Sequence, residues 1–273
     1  MATVLITGCS SGFGELAALT FARKGHRVFA TMRTPGKSAV IDAEPGIEQL
    51  ALDVSDSASV DAAIAEAIAR AGRIDVVVNN AGIEVFGSVH LLSDDDVRRQ
   101  FDTNVTGIVR VARAIVPHFL ANGGGAFINV GSLAGHVGVP YSGAYAASKH
   151  AVEALTEAMH FELSQRGIRV SVIEPGQFAT ALSSNSATAA GMVEGGEEFE
   201  RWQRYRAAQR RLVSGEPADP QLVADAIYAA AFDEPARLRH PVGADADMVL
   251  AAKSAMSFEE FDAAMRATLD WHD

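Results

Sequence analysis

The chain has 273 residues, 48% of them apolar, and a formal net charge of −11. That charge argues against nucleic acid as a partner, no apolar run reaches the length of a membrane span, and a single cysteine, Cys9, excludes an internal disulfide. One cysteine also suits a reducing compartment, and no leader-like segment precedes the first predicted strand, so a cytoplasmic location is expected.

Val4-Leu5-Ile6 is a short apolar run that predicts a buried strand over 3–7. The turn Thr7-Gly8-Cys9-Ser10-Ser11-Gly12-Phe13-Gly14 follows, then a helical pattern over 13–24. A strand, a glycine-rich turn and a helix form the arrangement that cradles a pyrophosphate, because glycines admit the phosphates and the helix N-terminus offers unpaired N–H donors. The alternative is a tight turn without a ligand. A second strand is predicted over 27–32 and ends in Thr31-Met32-Arg33-Thr34; Pro35-Gly36 and Pro45-Gly46 leave little room for a helix before the third strand at 47–52. Asp53-Val54 closes that strand, and a helix over 57–71 leads to a strand over 74–79, which ends in Asn79-Asn80-Ala81-Gly82.

The second half continues the alternation. Helix is predicted over 94–121, 143–166, 221–232 and 257–270, and strand over 126–131, 168–174 and 239–243. No repeat or linker interrupts the pattern. It predicts one α/β domain: a Rossmann-type, doubly wound parallel sheet of seven strands in the order 3-2-1-4-5-6-7, with helices on both faces. Such sheets bind ligands at the carboxyl ends of their strands, and Gly8, Arg33, Asn80, Ser132 and Pro175 all follow predicted strands.

Tyr145 and Lys149 stand four residues apart and so share one helix face. A tyrosine with its ordinary pKa of about 10 is a poor base, but a fixed cation beside it favours the phenolate. Lowering that pKa by about three units takes roughly 4 kcal/mol; one close ammonium can supply part of that and a bound oxidised coenzyme more, which would leave an acid/base group poised near neutral pH. By itself the pair is also compatible with a chance association on an exposed helix.

The glycine turn, Asn79-Asn80-Ala81-Gly82, Asn104, Ser132, the Tyr145/Lys149 pair and Pro175-Gly176 occur together and in order. In this the chain resembles the short-chain dehydrogenase/reductase family from Thr3 to about Thr180, and the hydroxysteroid and retinol dehydrogenase branch most. The resemblance implies a nicotinamide dinucleotide held by Gly8, Ser10, Ser11, Gly12, Phe13 and Gly14, by Asn80, Ala81 and Gly82, and by Pro175, Gly176, Phe178 and Thr180. It implies that Asp53, followed by Val54, contacts the adenine amino group; from sequence alone Asp53, Ser55 or Asp56 equally suits a helix cap. It implies hydride transfer between a carbonyl and an alcohol, with Tyr145 as proton donor, Lys149 tuning it and binding ribose, Ser132 steadying the substrate oxygen, and Asn104 holding a water that links Lys149 to solvent.

No acid follows the second strand until Asp42, whereas Arg33 stands at its end. A guanidinium pairs with the extra phosphate of NADP and a carboxylate repels it, so NADP(H) is expected over NAD(H), with Arg33, Ser10 and Ser11 around that phosphate. The competing reading of Arg33 is a solvated surface charge. His136, in the loop between Ser132 and Tyr145, is expected to edge the substrate pocket; His150 and His160 read as structural, and no His/Cys/Asp group has metal-ligand spacing. Residues 181–218, with Phe199, Trp202, Tyr205 and Leu212 at helical spacing, read equally as a helix packed on the body or as a lid over a lipophilic carbonyl or alcohol substrate. An NADPH sensor without turnover and an acyl-carrier ketoreductase are the alternatives; a homodimer or homotetramer through the helices at 94–121 and 143–166 is expected from the resemblance.

Overall fold

The computed structural model describes residues 1–178, 186–212 and 218–271, and the side chains of all of these but 210–212. Its strands are β1 (Thr3–Thr7), β2 (Arg27–Met32), β3 (Ile47–Ala51), β4 (Val76–Asn79), β5 (Val85–Phe86), β6 (Gly125–Val130), β7 (Ile168–Pro175), β8 (Ala187–Thr188) and β9 (Arg239–Val242). The helices are α1 (Gly12–Arg23), α2 (Ala39–Ala43), α3 (Ser57–Ala71), α4 (Asp94–Phe101), α5 (Gly107–Ala121), α6 (Gly143–Leu163), α7 (Glu197–Leu212), α8 (Gln221–Phe232), α9 (Ala244–Ala255) and α10 (Phe258–Leu269).

Seven strands form one parallel sheet in the order β3-β2-β1-β4-β6-β7-β9, as the alternation predicts. Successive side chains of a strand point to opposite faces, and the core divides accordingly. Val4 and Ile6 of β1 join Phe21, Val28, Val223 and Ile227 on one face. Leu5 joins Phe29, Ile64, Ile115, Phe119 and Phe127 on the other. A sheet covered on both faces needs near-continuous apolar strands, which Val4-Leu5-Ile6 and Val76-Val77-Val78 supply.

Four features depart from the predicted elements. A short α2 fits between the two Pro-Gly pairs, capped by Ser38 Oγ, which accepts from Ile41 N at 3.2 Å. The helix expected over 94–121 is broken by a π-helical turn at Asp102–Thr106. The pair β5-β8 forms a separate two-stranded sheet. Helix α9 was not expected, because only Ala246 is buried on it and its sequence carries no strong apolar period.

A buried polar chain joins the sheet to α6. Asn79 Nδ2 donates to Asn129 Oδ1 at 2.8 Å, Asn129 Nδ2 donates to Thr156 Oγ1 at 2.9 Å, and Thr156 Oγ1 donates to Val152 O at 2.7 Å. Asn129 and Thr156 are wholly buried. Every amide here that loses its partner keeps its desolvation cost. Asn129→Ala is therefore expected to destabilise the protein by about 1–3 kcal/mol, seen as a lower urea midpoint; an unchanged midpoint would show that the chain contributes nothing.

Candidate active site

The turn after β1 is built on its glycines. Gly8 and Gly12 have φ of +73° and +65°, and a Cβ at Gly8 would lie 2.8 Å from Ala81 Cα. Gly14 does another job: a Cβ there would fall 2.5 Å from Gly8 O, so its bare Cα lets α1 close against the turn. Asn80 locks the arrangement from β4, with Nδ2 donating to Thr7 O at 2.9 Å and Gly8 O at 3.1 Å. Thr7 Oγ1 in return accepts from Asn80 N at 3.1 Å and Ala81 N at 3.0 Å. Ser11 opens α1 without a side-chain cap, which leaves the first N–H groups to a ligand. Gly8, Ser10, Ser11, Gly12 and Phe13 line a cleft of about 2980 Å³; Gly14 does not. Cys9 is buried, and burial pushes its thiol up to about 12, so it is a packing residue.

The same cleft runs past Arg33, Asp53, Val54, Asn80, Ala81, Gly82, Ser132, Tyr145, Lys149, Pro175, Gly176 and Phe178. Arg33 is exposed at the end of β2. Asp56, not Asp53, caps α3, accepting from Ala58 N at 2.9 Å. Asp53 instead accepts from Ser55 N and Oγ at 2.9 and 2.6 Å. Burial works against its charge, but the two Ser55 donors and the positive charges of Arg33 and Arg110 outweigh burial and hold the carboxyl below the ordinary range. Phe178 meets Phe13 edge-to-face at 5.7 Å. Asp245 of α9, which sequence reasoning passed over, accepts from Gln177 N at 2.6 Å and sits where a Gly176 Cβ would need to be. Its only sequence signal is an acid two residues past a short terminal strand. Thr180 lies outside the described residues.

Ser132 follows β6 and accepts from Ala134 N at 3.1 Å. Tyr145 and Lys149 lie on the first turns of α6. Lys149 is buried; its Nζ donates to Val130 O at 2.8 Å and stands 5.6 Å from the centre of the Tyr145 ring. Burial lowers the Lys149 amine to about 8, against the negative charges of Glu153 and Glu84. Burial raises the Tyr145 phenol, the charge of Glu84 adds to that, and the neighbouring Ser132 hydroxyl only partly offsets it. In the protein alone, burial and the Glu84 charge thus raise the phenol; the expected lowering calls on a bound coenzyme as well as on Lys149.

Asn104 lies in the π-helical turn and is buried, not on the surface and not on the cleft wall. Its Oδ1 accepts from Ile83 N at 2.9 Å, and its Nδ2 donates to Ile83 O at 3.0 Å and to Ser148 Oγ at 3.1 Å. It therefore ties the segment after Gly82 to the helix of Tyr145 and Lys149. π-Turns of this kind recur at functional sites.

His136 does not edge the cleft. Its Nε2 lies 3.0 Å from Glu174 Oε1, in a cluster with Glu153 and Arg239 behind Lys149. His136, Glu153 and Glu174 have metal-ligand chemistry in close array, but Arg239 Nη1 reaches Glu174 at 2.7 Å and also bonds Glu153, so a guanidinium fills the group. Burial first, then the charge of Glu174, pushes the Glu153 carboxyl up to about 8 against Arg239. His150 is exposed at the cleft rim, with Nδ1 2.9 Å from Ala146 O. On α7, Trp202 and Tyr205 are buried: Trp202 packs on Phe86 and Phe199, and Tyr205 on Tyr141 and Trp271. The Leu212 side chain and residues 213–217 lie outside the described residues.

Residues 2–190 match the short chain dehydrogenase family, and the chain belongs to that family of oxidoreductases. A 3-ketodihydrosphingosine reductase of Bacteroides thetaiotaomicron is 37% identical over 67% of this chain and 66% of its own length. The uncharacterized oxidoreductase YusZ of Bacillus subtilis strain 168 is 33% identical over 97% of each chain. The human 17-beta-hydroxysteroid dehydrogenase type 1 is 35% identical over 83% of this chain and 73% of its own. A short-chain dehydrogenase from Streptomyces avermitilis superposes with a TM-score of 0.81 at 31% identity, covering 98% of this chain and 100% of that one. Among solved relatives, a gluconate 5-dehydrogenase from Burkholderia cenocepacia holds NADP (TM-score 0.74, 28% identity, 90% and 95% coverage). A short chain dehydrogenase/reductase from Burkholderia phymatum holds NAD (TM-score 0.80, 27% identity, 93% and 92% coverage). No described helix is long and apolar enough to cross a membrane.

The Lys149 amine drops from 10.5 to about 8 on folding, so between those pH values the unfolded chain binds more protons and stability rises with pH. Below pH 8 the buried charge costs on the order of 3 kcal/mol. Lys149→Met is expected to unfold at higher urea than wild type at pH 7, and that advantage is expected to shrink as pH rises towards 10.5. An advantage constant with pH would show that Lys149 titrates normally.

Proposed function

We propose that the protein is an NADP(H)-dependent oxidoreductase that interconverts a ketone or aldehyde with the corresponding alcohol on a lipophilic small molecule. The observation that carries this is the convergence of Ser132, Tyr145 and Lys149 on one wall of the cleft whose far end is the uncapped start of α1. The cleft is wide enough for a dinucleotide and a substrate together, since sites for a single small molecule span about 300–1,000 Å³. When bound, the nicotinamide supplies the hydride. The turn at Gly8–Phe13 would hold its pyrophosphate, Asp53 its adenine, Phe178 with Pro175-Gly176 its carboxamide, and Lys149 its ribose.

The chain's residues then handle the oxygen and its proton. Ser132 Oγ hydrogen-bonds the substrate oxygen and steadies the alkoxide. The raised pKa of Tyr145 keeps the phenol loaded with a proton to give in the reductive direction. The Lys149 amine near 8 takes up and passes protons around neutrality. Asn104 fixes the distance between the Ile83 segment and α6, a positioning role beside the water-holding one. An unaltered Ser-Tyr-Lys set favours turnover over a sensor. Exposed Val109 on α5 and Phe161 on α6 support a homo-oligomer formed through these helices.

Tyr145→Phe is expected to lower kcat/KM for the best ketone by about 10²–10⁴-fold while dinucleotide affinity, followed by NADPH fluorescence, holds. Wild-type turnover in this variant would remove Tyr145 from the mechanism. Arg33→Ala is expected to lower the preference for NADPH over NADH about tenfold, as loss of one charge-assisted contact would. An unchanged ratio would assign Arg33 to bulk solvent.

A further inference from the structure

Glu84 lies in the cleft wall and is not among the residues assigned to the dinucleotide or to the reacting oxygen, although its charge reaches Tyr145 and Lys149. Its backbone is pinned on both sides: Asn104 binds Ile83 N and O, and Gln100 Oε1 accepts from Val85 N at 2.8 Å. The half-buried carboxylate has one neutral donor, Ser142 Oγ, at 2.8 Å on Oε1. Ser142 is the N-cap of the helix that carries Tyr145 three residues on, and the Glu84 charge is felt at the phenol, so the carboxylate and the reacting groups share one part of the cleft.

Among the described residues no cation comes within the 4.0 Å of an ion pair with Glu84. Arg206 of α7 is engaged elsewhere, its guanidinium 5.5 Å from the Phe86 ring centre and 5.1 Å from that of Trp202. Lys149 bonds Val130 O. Burial dominates at Glu84 and raises its pKa despite Ser142, Arg206 and Lys149. A carboxylate so placed is undercompensated, and a cation brought beside it recovers part of the desolvation cost. The same cleft is lined by the apolar side chains of Phe86, Val137, Val139 and Trp202, beside Arg206, and these suit a hydrocarbon remainder.

We infer that Glu84 is a specificity-determining subsite for a protonated amine borne next to the reacting carbon, so that the substrate class is a lipophilic amino ketone or amino alcohol. This rests on the oxidoreductase reading of the cleft. An ammonium fits better than a hydroxyl, because Ser142 already supplies the neutral hydrogen bond and the missing partner is charge.

The test uses 1-aminooctan-2-ol, octane-1,2-diol and octan-2-ol with NADP⁺ on wild type and on Glu84→Gln, which keeps shape and hydrogen bonding and removes charge. Wild type is expected to favour the amine over the diol about tenfold in kcat/KM; because the Glu84 charge also reaches Tyr145 and Lys149, the readout is the ratio of amine to diol and to octan-2-ol within each protein, and Glu84→Gln is expected to lose that preference. Binding is read separately from Trp fluorescence, since Trp202 and Trp271, the chain's two tryptophans, both line this cleft. The amine's Kd is expected to rise about tenfold in Glu84→Gln and that of octan-2-ol to stay. A wild type that binds the amine no tighter than octan-2-ol, or a Glu84→Gln that keeps the preference, overturns the inference. Absence of turnover with every alcohol and ketone overturns the oxidoreductase reading, and the binding comparison then decides the subsite alone.

Discussion

Helix α6 must bury a polar face, and most of the site follows from how that burial is satisfied. Ser148, Lys149, Glu153 and Thr156 all point into the protein, and a buried polar atom without a partner costs the full desolvation of the group. Ser148 accepts from Asn104 and donates to Tyr145 O. Lys149 takes Val130 O, Glu153 takes Arg239, and Thr156 takes Asn129. These bonds reach β6, the π-helical turn and β9, so the helix has one rotation and one height over the sheet. Tyr145 reaches the cleft because its neighbours on the helix are tied elsewhere.

The π-helical turn has a matching explanation. An uninterrupted helix from Asp94 to Ala121 would carry one residue fewer in the turn around Asn104 and rotate its amide off Ile83. The wider turn sets the Asn104 amide where both of its ends find partners. That same amide holds the chain just after Gly82, on which the placement of Glu84 depends. A distortion of one helix thus orders two walls of the cleft.

The electrostatics of the cleft come from burial more than from pairing. Lys149, Glu153 and Tyr145 are each shifted first by loss of water and only second by neighbouring charge. Desolvation favours the neutral form of every group. The result is a Lys149 amine and a Glu153 carboxyl both brought to about 8 beside a phenol that keeps its proton, with Arg239 answering Glu153, Glu157 and Glu174.

By itself the sequence determined the parallel seven-stranded sheet, the strand order, the glycine turn and the sharing of one helix face by Tyr145 and Lys149. These depend on local period and spacing, which a chain of residues carries in full. Only the tertiary structure decided what lay beside each group in space. It put His136 on Glu174 instead of the pocket, gave Gly14 a packing duty, brought Asp245 under Gly176, and turned Asn104 inward. It also set the protein's own contribution at the Tyr145 phenol, since desolvation and the charge of Glu84, 61 positions away in the chain, depend on distances that no spacing along the sequence encodes.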